Sequence, residues 1–500
     1  MFELYPIVSF ILIYLCLYKS LCQELCWRST FLVTSLVWGL LVVISTELLS
    51  IFHLITFEFI LLFWVSITFI SAYWFFAVMK GKKFPVTFSF SDFSYFDLLI
   101  LFAIGFFVIT IGLLALWFPP NTYDAMVYHM GRVIHWIQNH SIAHYPTNIY
   151  FQLIYPPWAE WAIMHFLILS GDDRLSNLIQ WFSMVGCILG SSLIAKHFGA
   201  NVRYQIIASL ITTTIPMGIL QGSSTQNDYV VSYWVVCFVY FFLLWKEKLS
   251  WIYFSATSAS LGLAILTKGT AHFYSFPFLI WFTAITIQKF KWNSCKLFFI
   301  IAIIVSSINL GQYKRNPNLY GDPATRTREM IVQDISLPLF ISSLVKNIGY
   351  NSLTPFWKSN MFMEKVVYGI HKKLGIDTND PRTTFQGSFN LKEHPFQEDY
   401  AANPLHFLII IVCMIIFFTT KYQRDVKDLS KYCISVLSAF LLFCLILKWH
   451  PWLARYHLAL FVLWSPFVSI VLFRFHHPLR KVISGGLPFV LILTSLPWLF

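Results

Sequence analysis

Residues 117–161, WFPPNTYDAMVYHMGRVIHWIQNHSIAHYPTNIYFQLIYPPWAEW, interrupt an otherwise apolar chain with ionisable groups. They hold Asp124, His129, Arg132 and Glu160 among many aromatic residues. Asp124 follows the apolar run Leu98–Phe118, so a carboxylate stands just past the end of a spanning helix, at the water–lipid boundary. A carboxylate fixed there can take a proton from a hydroxyl. It also stands where an enzyme would meet a substrate anchored in lipid. Further candidates lie downstream: Asp228 in the turn Gln226-Asn227-Asp228, Lys268 in LTKGT, Lys314 and Arg315 after a span ending near Gly311, and Arg455 in WLARYHL. Cations at such positions either hold phosphate or snorkel to lipid headgroups.

Read as a helix, Asp124–His140 sets Met126, Val127, Met130, Val133, Ile134 and Ile137 on one face. Asp124, Tyr128, Arg132, His135 and Asn139 fall on another. The expectation is an amphipathic helix resting in the interface. Glu160 follows Pro156 and Pro157, which open a second short helix. Histidines 129, 135, 140 and 144 lack the ligand spacing of a zinc site. The nine cysteines form no metal spacing either and read as free thiols. There is no phosphate-binding glycine loop of the nucleotide-binding kind and no GxSxG elbow, which argues against nucleotide-driven chemistry.

The elements that must position these groups are membrane helices. The chain is 57% hydrophobic and 12% charged, about half the charged fraction of a soluble domain. Runs near ~20 apolar residues recur and match an all-α polytopic membrane protein. Candidate spans begin near residues 4, 30, 56, 97, 176, 204, 229, 251, 270, 296, 405, 431, 456 and 482. About 13–14 transmembrane helices are expected, with interfacial helices in the first large outer loop. The first apolar segment has no basic leader and no small-residue cleavage site, so it reads as a span. The net charge of +12 needs no nucleic-acid partner. It gathers in short loops at Lys80, Lys82 and Lys83, at Lys196 and Arg203, at Lys246 and Lys248, at Lys289, Lys291 and Lys296, at Arg424 and Lys427, and at Arg474, Arg480 and Lys481. Those loops are expected on the cytoplasmic side.

This arrangement requires that residues 156–169 do not cross. As a helix they span about 21 Å, short of a ~30 Å hydrocarbon core, so an interfacial or re-entrant helix is expected. The outer face then owns residues 119–175, the turn SSTQND at 223–228, Thr267–Thr270, a long loop from 312 to 404 and the turn KWHPWLAR at 448–455. Four regions follow: N-terminal helices 1–95, a catalytic core 96–311, the outer loop 312–404 and C-terminal helices 405–500.

YDAMVYHMGRV around Asp124, PPW at 156–158, GLAILTKGT at 262–270, YKRNPNLYGDP at 313–323 and WLARYHLALF at 452–461 resemble, in order and side, the GT-C class of integral-membrane glycosyltransferases. This class includes protein O-mannosyltransferases and lipid A aminoarabinose transferases. The resemblance implies a sugar donor carried on a polyprenyl phosphate and a lipid, glycan or protein acceptor. The loop charges put the work on the outer, periplasmic face, and a bacterial inner membrane is the expected location. By the resemblance Asp124 acts at the acceptor, and Lys268 and Arg455 hold the carrier phosphate. From the residues themselves Asp228 is the candidate second catalytic acid, and Tyr128, His129, Arg132, Glu160, Lys314 and Arg315 are candidate substrate-binding residues. Where some relatives carry a paired acid in the first loop, this chain has Asp124-Ala125. No metal ligand set is therefore assigned, and a divalent cation would need Asp228 or Glu160 as the second acid. Two other readings share parts of the pattern. One is a polysaccharide polymerase or ligase; the other is a transporter or flippase of lipid-linked sugars, which would carry its ionisable groups at mid-membrane depth.

The topology is tested by single cysteines at Ser223 and Asp425. A membrane-impermeant thiol reagent should label them from opposite sides, and labelling from one side would overturn the shared outer face.

Overall fold

In a computed structural model, the protein is described over residues 1–22, 24–80, 93–316, 329–391, 396–420, 427–474 and 480–499. Lys82, Lys83, Arg424, Asp425 and the 317–323 part of YKRNPNLYGDP lie outside the described residues. The first helices are α1 Leu4–Leu21, α2 Trp27–Ile51, α3 Phe57–Met79 and α4 Tyr95–Trp117. A π-helical turn Ala125–His129 runs into α5 Met130–Asn139, followed by α6 Phe151–Ile154 and α7 Trp158–Ser170. The central helices are α8 Leu178–His197, α9 Val202–Thr213, α10 Pro216–Gln221, α11 Asp228–Lys248, α12 Trp251–Thr267, α13 Ala271–Phe290 and α14 Ser294–Arg315. Then come α15 Leu337–Asn351, α16 Trp357–Leu374, α17 Pro404–Thr419, α18 Leu429–Ile446, a 3-10 segment Pro451–His457, α19 Leu458–Arg474 and α20 Arg480–Ser495. Among the described residues nine helical segments are long and apolar enough to cross a membrane. Each start expected from the sequence falls on a helix or within two residues of one.

The core sits where α11 packs against α8, α12, α13 and α19. Small residues open the tightest seam. Gly186 and Gly190 form a GxxxG step on α8, a spacing that lets helix backbones approach closely. A Cβ on Gly186 would come within 2.2 Å of the Tyr233 ring, and one on Gly190 within 2.3 Å of Val236. Helix ends are fixed by polar pairs. Ser94 and Asp97 form a capping box at the start of α4, and Arg203 Nε donates to Asp97 Oδ1 at 2.9 Å. That bond ties the α8–α9 turn to the same end of the bundle.

Three sequence expectations change in detail. The span expected from residue 204 is broken at Pro216, which cannot continue α9 because it lacks an N–H. The Met217 N–H that the break frees donates to Asn403 Oδ1 at 3.0 Å. Next, α7 is enclosed by protein: its residues Trp158–His165 are all buried, walled by α2, α3, α5, α8 and α12. Finally, the two expected faces of residues 125–136 do not divide inside from outside. Tyr128, His129 and Arg132 are buried beside Met130 and Val133, while Met126 and Ile134 are 60% and 42% exposed. Beside lipid the outward surface is apolar, so ionisable groups turn toward protein, where partners can satisfy them.

The segment 329–391 is a folded unit. Lys346 on α15 is fully buried, and its ammonium donates to Thr383 O at 3.1 Å and to Thr384 Oγ1 at 2.8 Å. Trp449 N donates to Thr383 O and Phe385 N donates to Trp449 O, both at 2.8 Å. On the other edge Val332 N donates to Ile446 O at 2.8 Å, and Lys448 N to Met330 O at 2.9 Å. Residues 446–449 are thus gripped from both sides just before the 3-10 segment begins.

The α8–α11 seam makes a measurable claim. Gly186→Leu should lower the thermal stability of the purified protein by about 1–3 kcal/mol or more through overpacking. Gly105→Leu, on α4 with nothing within 4 Å of the added Cβ, should leave it unchanged.

Candidate active site

Asp124 closes the turn that leaves α4. Asn177 Nδ2 donates to Phe118 O at 2.9 Å and holds the start of that turn. Thr122 Oγ1 accepts from Ala125 N at 3.1 Å, capping the helix that follows. The π-turn carries one residue more per turn than an α-helix and so misaligns a backbone carbonyl. Gln152 Nε2 donates to Val127 O at 2.7 Å, inside this turn. The outcome is a carboxylate 19% exposed. The Tyr128 hydroxyl donates to Asp124 Oδ2 at 3.0 Å. Burial, followed by the Asp124 charge, pushes the Tyr128 hydroxyl well above its ordinary range, so it stays a donor.

Arg455 reaches Asp124 from the 3-10 segment. Its Nη2 pairs with Asp124 Oδ2, and its Nη1 donates to Asp399 Oδ1 at 2.6 Å. The guanidinium is 4% exposed. Burial alone would raise the Asp124 carboxyl; the charges of Arg455 and His129 outweigh it and hold the group below the usual carboxylate range.

Lys268 and Asp228 form the other half. Lys268 ends α12 in an extended conformation, and Asp228 begins α11. Asn227 Nδ2 donates to Thr267 O at 3.2 Å and locks the two ends together. The Lys268 ammonium donates to Asp228 Oδ1 at 2.6 Å. Burial pulls Lys268 below the usual lysine range, against the opposing charge of Asp228. The Tyr456 ring lies between the cations, with Lys268 Nζ 4.5 Å and Arg455 Cζ 5.3 Å from its centroid. Its π-face attracts both and separates like charges. The opposite end of α11 carries Lys246, paired with Asp428, so the acid–cation cluster and the basic loops occupy opposite ends of one helix.

The structure thus brings Asp124, Tyr128, Asp228, Lys268 and Arg455 together. The other candidates go elsewhere. Glu160 is fully buried between His129 Nδ1 and Arg132, whose Nη2 is 2.5 Å from Glu160 Oε2. Arg132 Nη1 also donates to Tyr155 O at 2.7 Å, tying α5 to the turn before PPW. These three residues brace the site from behind. Arg315 is paired with Glu47 on α2 at 2.8 Å, and Lys314 is exposed at the end of α14. Neither joins the cluster. Asp399 and Tyr456 were not singled out from the sequence. Asp399 lies in the polar run QEDY, where spacing carries no signal. Tyr456 adjoins Arg455, and its role follows only from the packing. Among the described residues no three His, Cys, Asp or Glu side chains gather to hold a metal ion.

Residues 155–310 match the dolichyl-phosphate-mannose-protein mannosyltransferase family. The fold is similar to that of ArnT from Cupriavidus metallidurans, solved bound to undecaprenyl phosphate, with a TM-score of 0.50 and 13% identity. The similarity covers 78% of this chain and 63% of that enzyme, so the chain spans less than two thirds of its length. No curated protein matches the sequence. The chain therefore has the fold of the GT-C class of membrane glycosyltransferases.

Glu160→Gln should cost about 3–5 kcal/mol of stability, because it leaves the Arg132 guanidinium buried beside a neutral amide. Burial would raise the Glu160 carboxyl, but Arg132 and His129 lower it from 4.5 to about 2. Its contribution is then fully present above pH ~4.5 and is lost as pH falls toward the folded value. Thermal unfolding of wild type and variant should differ by a constant amount from pH 7 to 5 and converge below that.

Proposed function

We propose that this protein transfers a sugar from a polyprenyl-phosphate donor to an acceptor hydroxyl, at the outer face of a bacterial inner membrane. The observation that carries the reading is the pairing of two carboxylates with two cations, half-buried Asp124 with buried Arg455 and buried Asp228 with half-buried Lys268, at one end of the helix bundle. A phosphate leaving group already carries charge and needs cations more than it needs an acid. Arg455 can grip its oxygens with two parallel hydrogen bonds and Lys268 adds a point charge. In the reaction the bond from the anomeric carbon to the phosphate oxygen breaks, and its electron pair leaves with the carrier. The acceptor oxygen bonds to that carbon from the opposite face, inverting it, and its proton passes to Asp124. Asp228 holds Lys268 in place and orients the acceptor.

Other features support this reading. An apolar cavity of about 260 Å³ is lined by Phe407, Met414, Phe440, Phe461 and Trp464 and reaches His457, two residues from Arg455. Isoprenoid units fit that chemistry. Tyr155 packs edge-on to Tyr128 at 5.5 Å and offers a ring on which a sugar can stack. The acids lie at helix ends, whereas a carrier for lipid-linked sugars would hold them at mid-membrane depth.

The test compares cells making wild type, Asp124→Asn or Lys268→Ala, with mass spectrometry of membrane glycolipids and surface glycans. Wild type should add one sugar to one class of acceptor. Asp124→Asn should lower that product by about 10²–10⁴ in rate, the usual cost of losing a general base, with protein level unchanged. Lys268→Ala should raise the donor concentration needed for half-maximal rate. An unchanged product in Asp124→Asn would remove Asp124 from the chemistry.

A further inference from the structure

The pairing that makes Asp124 recognisable also weakens it as a base. Arg455 Nη2 and the Tyr128 hydroxyl both sit on its Oδ2, and, against the effect of burial, the guanidinium charge lowers the carboxylate's affinity for a proton. Arg455 is divided between two carboxylates, one from the first outer loop and one from the strap before α17. That strap is held independently of Arg455. Gln221 Nε2 donates to Glu398 O at 2.8 Å, Gln226 Nε2 donates to Asp399 Oδ1 at 3.0 Å, and the Tyr350 hydroxyl donates to Tyr400 O at 3.0 Å. Asn403 at its other end accepts from Met217 N. Asp124 is placed by the capped turn at residues 122–125, and beside Arg455 its carboxylate takes only the Tyr128 hydroxyl. It is the more exposed of the guanidinium's two partners, 19% against 13% for Asp399. Two buried atoms of the cluster, Arg455 Nε and Asp228 Oδ2, have no hydrogen-bond partner in the protein. Buried polar groups are nearly always paired, so this cluster has capacity in reserve for a ligand.

We propose that Asp399 is a positioning residue that anchors Arg455 while the arginine exchanges Asp124 for the carrier phosphate, so that Asp124 becomes a free base only once donor is bound. This rests on the reading of the site as a polyprenyl-phosphate sugar transferase. In the empty cleft Asp124 is a paired carboxylate and a weak proton acceptor. When donor phosphate enters, Arg455 keeps Nη1 on Asp399 and turns Nη2, with the unused Nε–H, toward phosphate oxygens. Asp124 is left with Tyr128 alone. As the sugar departs, the carrier phosphate gains a second negative charge, so the exchanged pair is strongest in the transition state. That is the condition for an interaction to raise kcat. Without Asp399, Arg455 has one carboxylate left and stays on Asp124 in the presence of donor.

The experiment uses the full-length protein in lipid nanodiscs. Undecaprenyl phosphate binding is read by native mass spectrometry, and donor kinetics are measured once the sugar is known. Asp399→Asn should retain undecaprenyl phosphate binding within about threefold. Its kcat should fall about tenfold to a hundredfold, the scale of a misplaced catalytic group, with donor KM changed less than threefold. Asp399→Glu should recover most of kcat. Gln226→Leu, which removes a tether and leaves the charge, should shift kcat in the same direction by less, and it carries the test if Asp399→Asn does not fold. An unchanged kcat in Asp399→Asn with normal undecaprenyl phosphate binding overturns the role of Asp399 alone. Equal losses in kcat and undecaprenyl phosphate binding, unrescued by glutamate, overturn the exchange in favour of simple structural support. Wild type that binds no undecaprenyl phosphate overturns the donor assignment, and the exchange with it.

Discussion

A single buried guanidinium decides much of this architecture. Taking a charge out of water costs several kcal/mol even after relaxation, and only close, well-directed counter-charges offset it. Arg455 obtains them from Asp124 and Asp399, which come from chain segments far apart in sequence. The first outer loop, the strap before α17 and the 3-10 segment must therefore meet before the arginine can be buried. The two-sided grip on residues 446–449 and the ammonium of Lys346 aim the 3-10 segment; the capped π-turn aims Asp124. None of these contacts touches the cleft, yet each limits where the guanidinium can go.

A second constraint comes from the surroundings of the helices. With no water to satisfy a broken backbone, an interrupted helix is tolerated only where protein supplies the missing partner. Asn403 does this for the break at Pro216. The same asparagine ends the strap that carries Asp399, so the defect in one helix and the placement of an acid on another segment share one side chain. The Gln180–Gln221 bond at 3.0 Å extends this link from α8 to the break.

Much of this was legible in the sequence. Lys268 and Arg455 stood out because positive charge is depleted on the outer side of short-loop topologies, and Asp124 because an acid beside a span is costly without a use. The helix starts followed from apolar length. What could not be read was direction. The pattern of residues 124–140 gives two faces but not which side chains meet protein: Tyr128 and Arg132 of one face and Met130 and Val133 of the other are all buried. Glu160 looked like a cleft residue for the same reason: its neighbours His129 and Arg132 are identifiable, but only packing reveals that they turn toward it and away from Asp124. Asp399 was invisible because no local spacing marks it; its role is set by partners far away in the chain.

The π-turn at Ala125–His129 divides its segment into two angular registers. Tyr123 and Asp124 open the helix ahead of the π-turn, while Tyr128, His129 and Arg132 are phased with α5 and, through Glu160, with α7. Each step of an α-helix turns about 100°, so the surplus residue works as a phase shifter between a chemical half and a braced half. Length changes on its two sides are therefore not equivalent. One residue removed before Thr122 can be absorbed by an irregular turn. One removed inside 125–129 would restore a regular helix and swing the carboxylate out of line with the hydroxyl and the guanidinium that define it. A lineage of such proteins could vary its first loop freely in length while holding this short interval fixed.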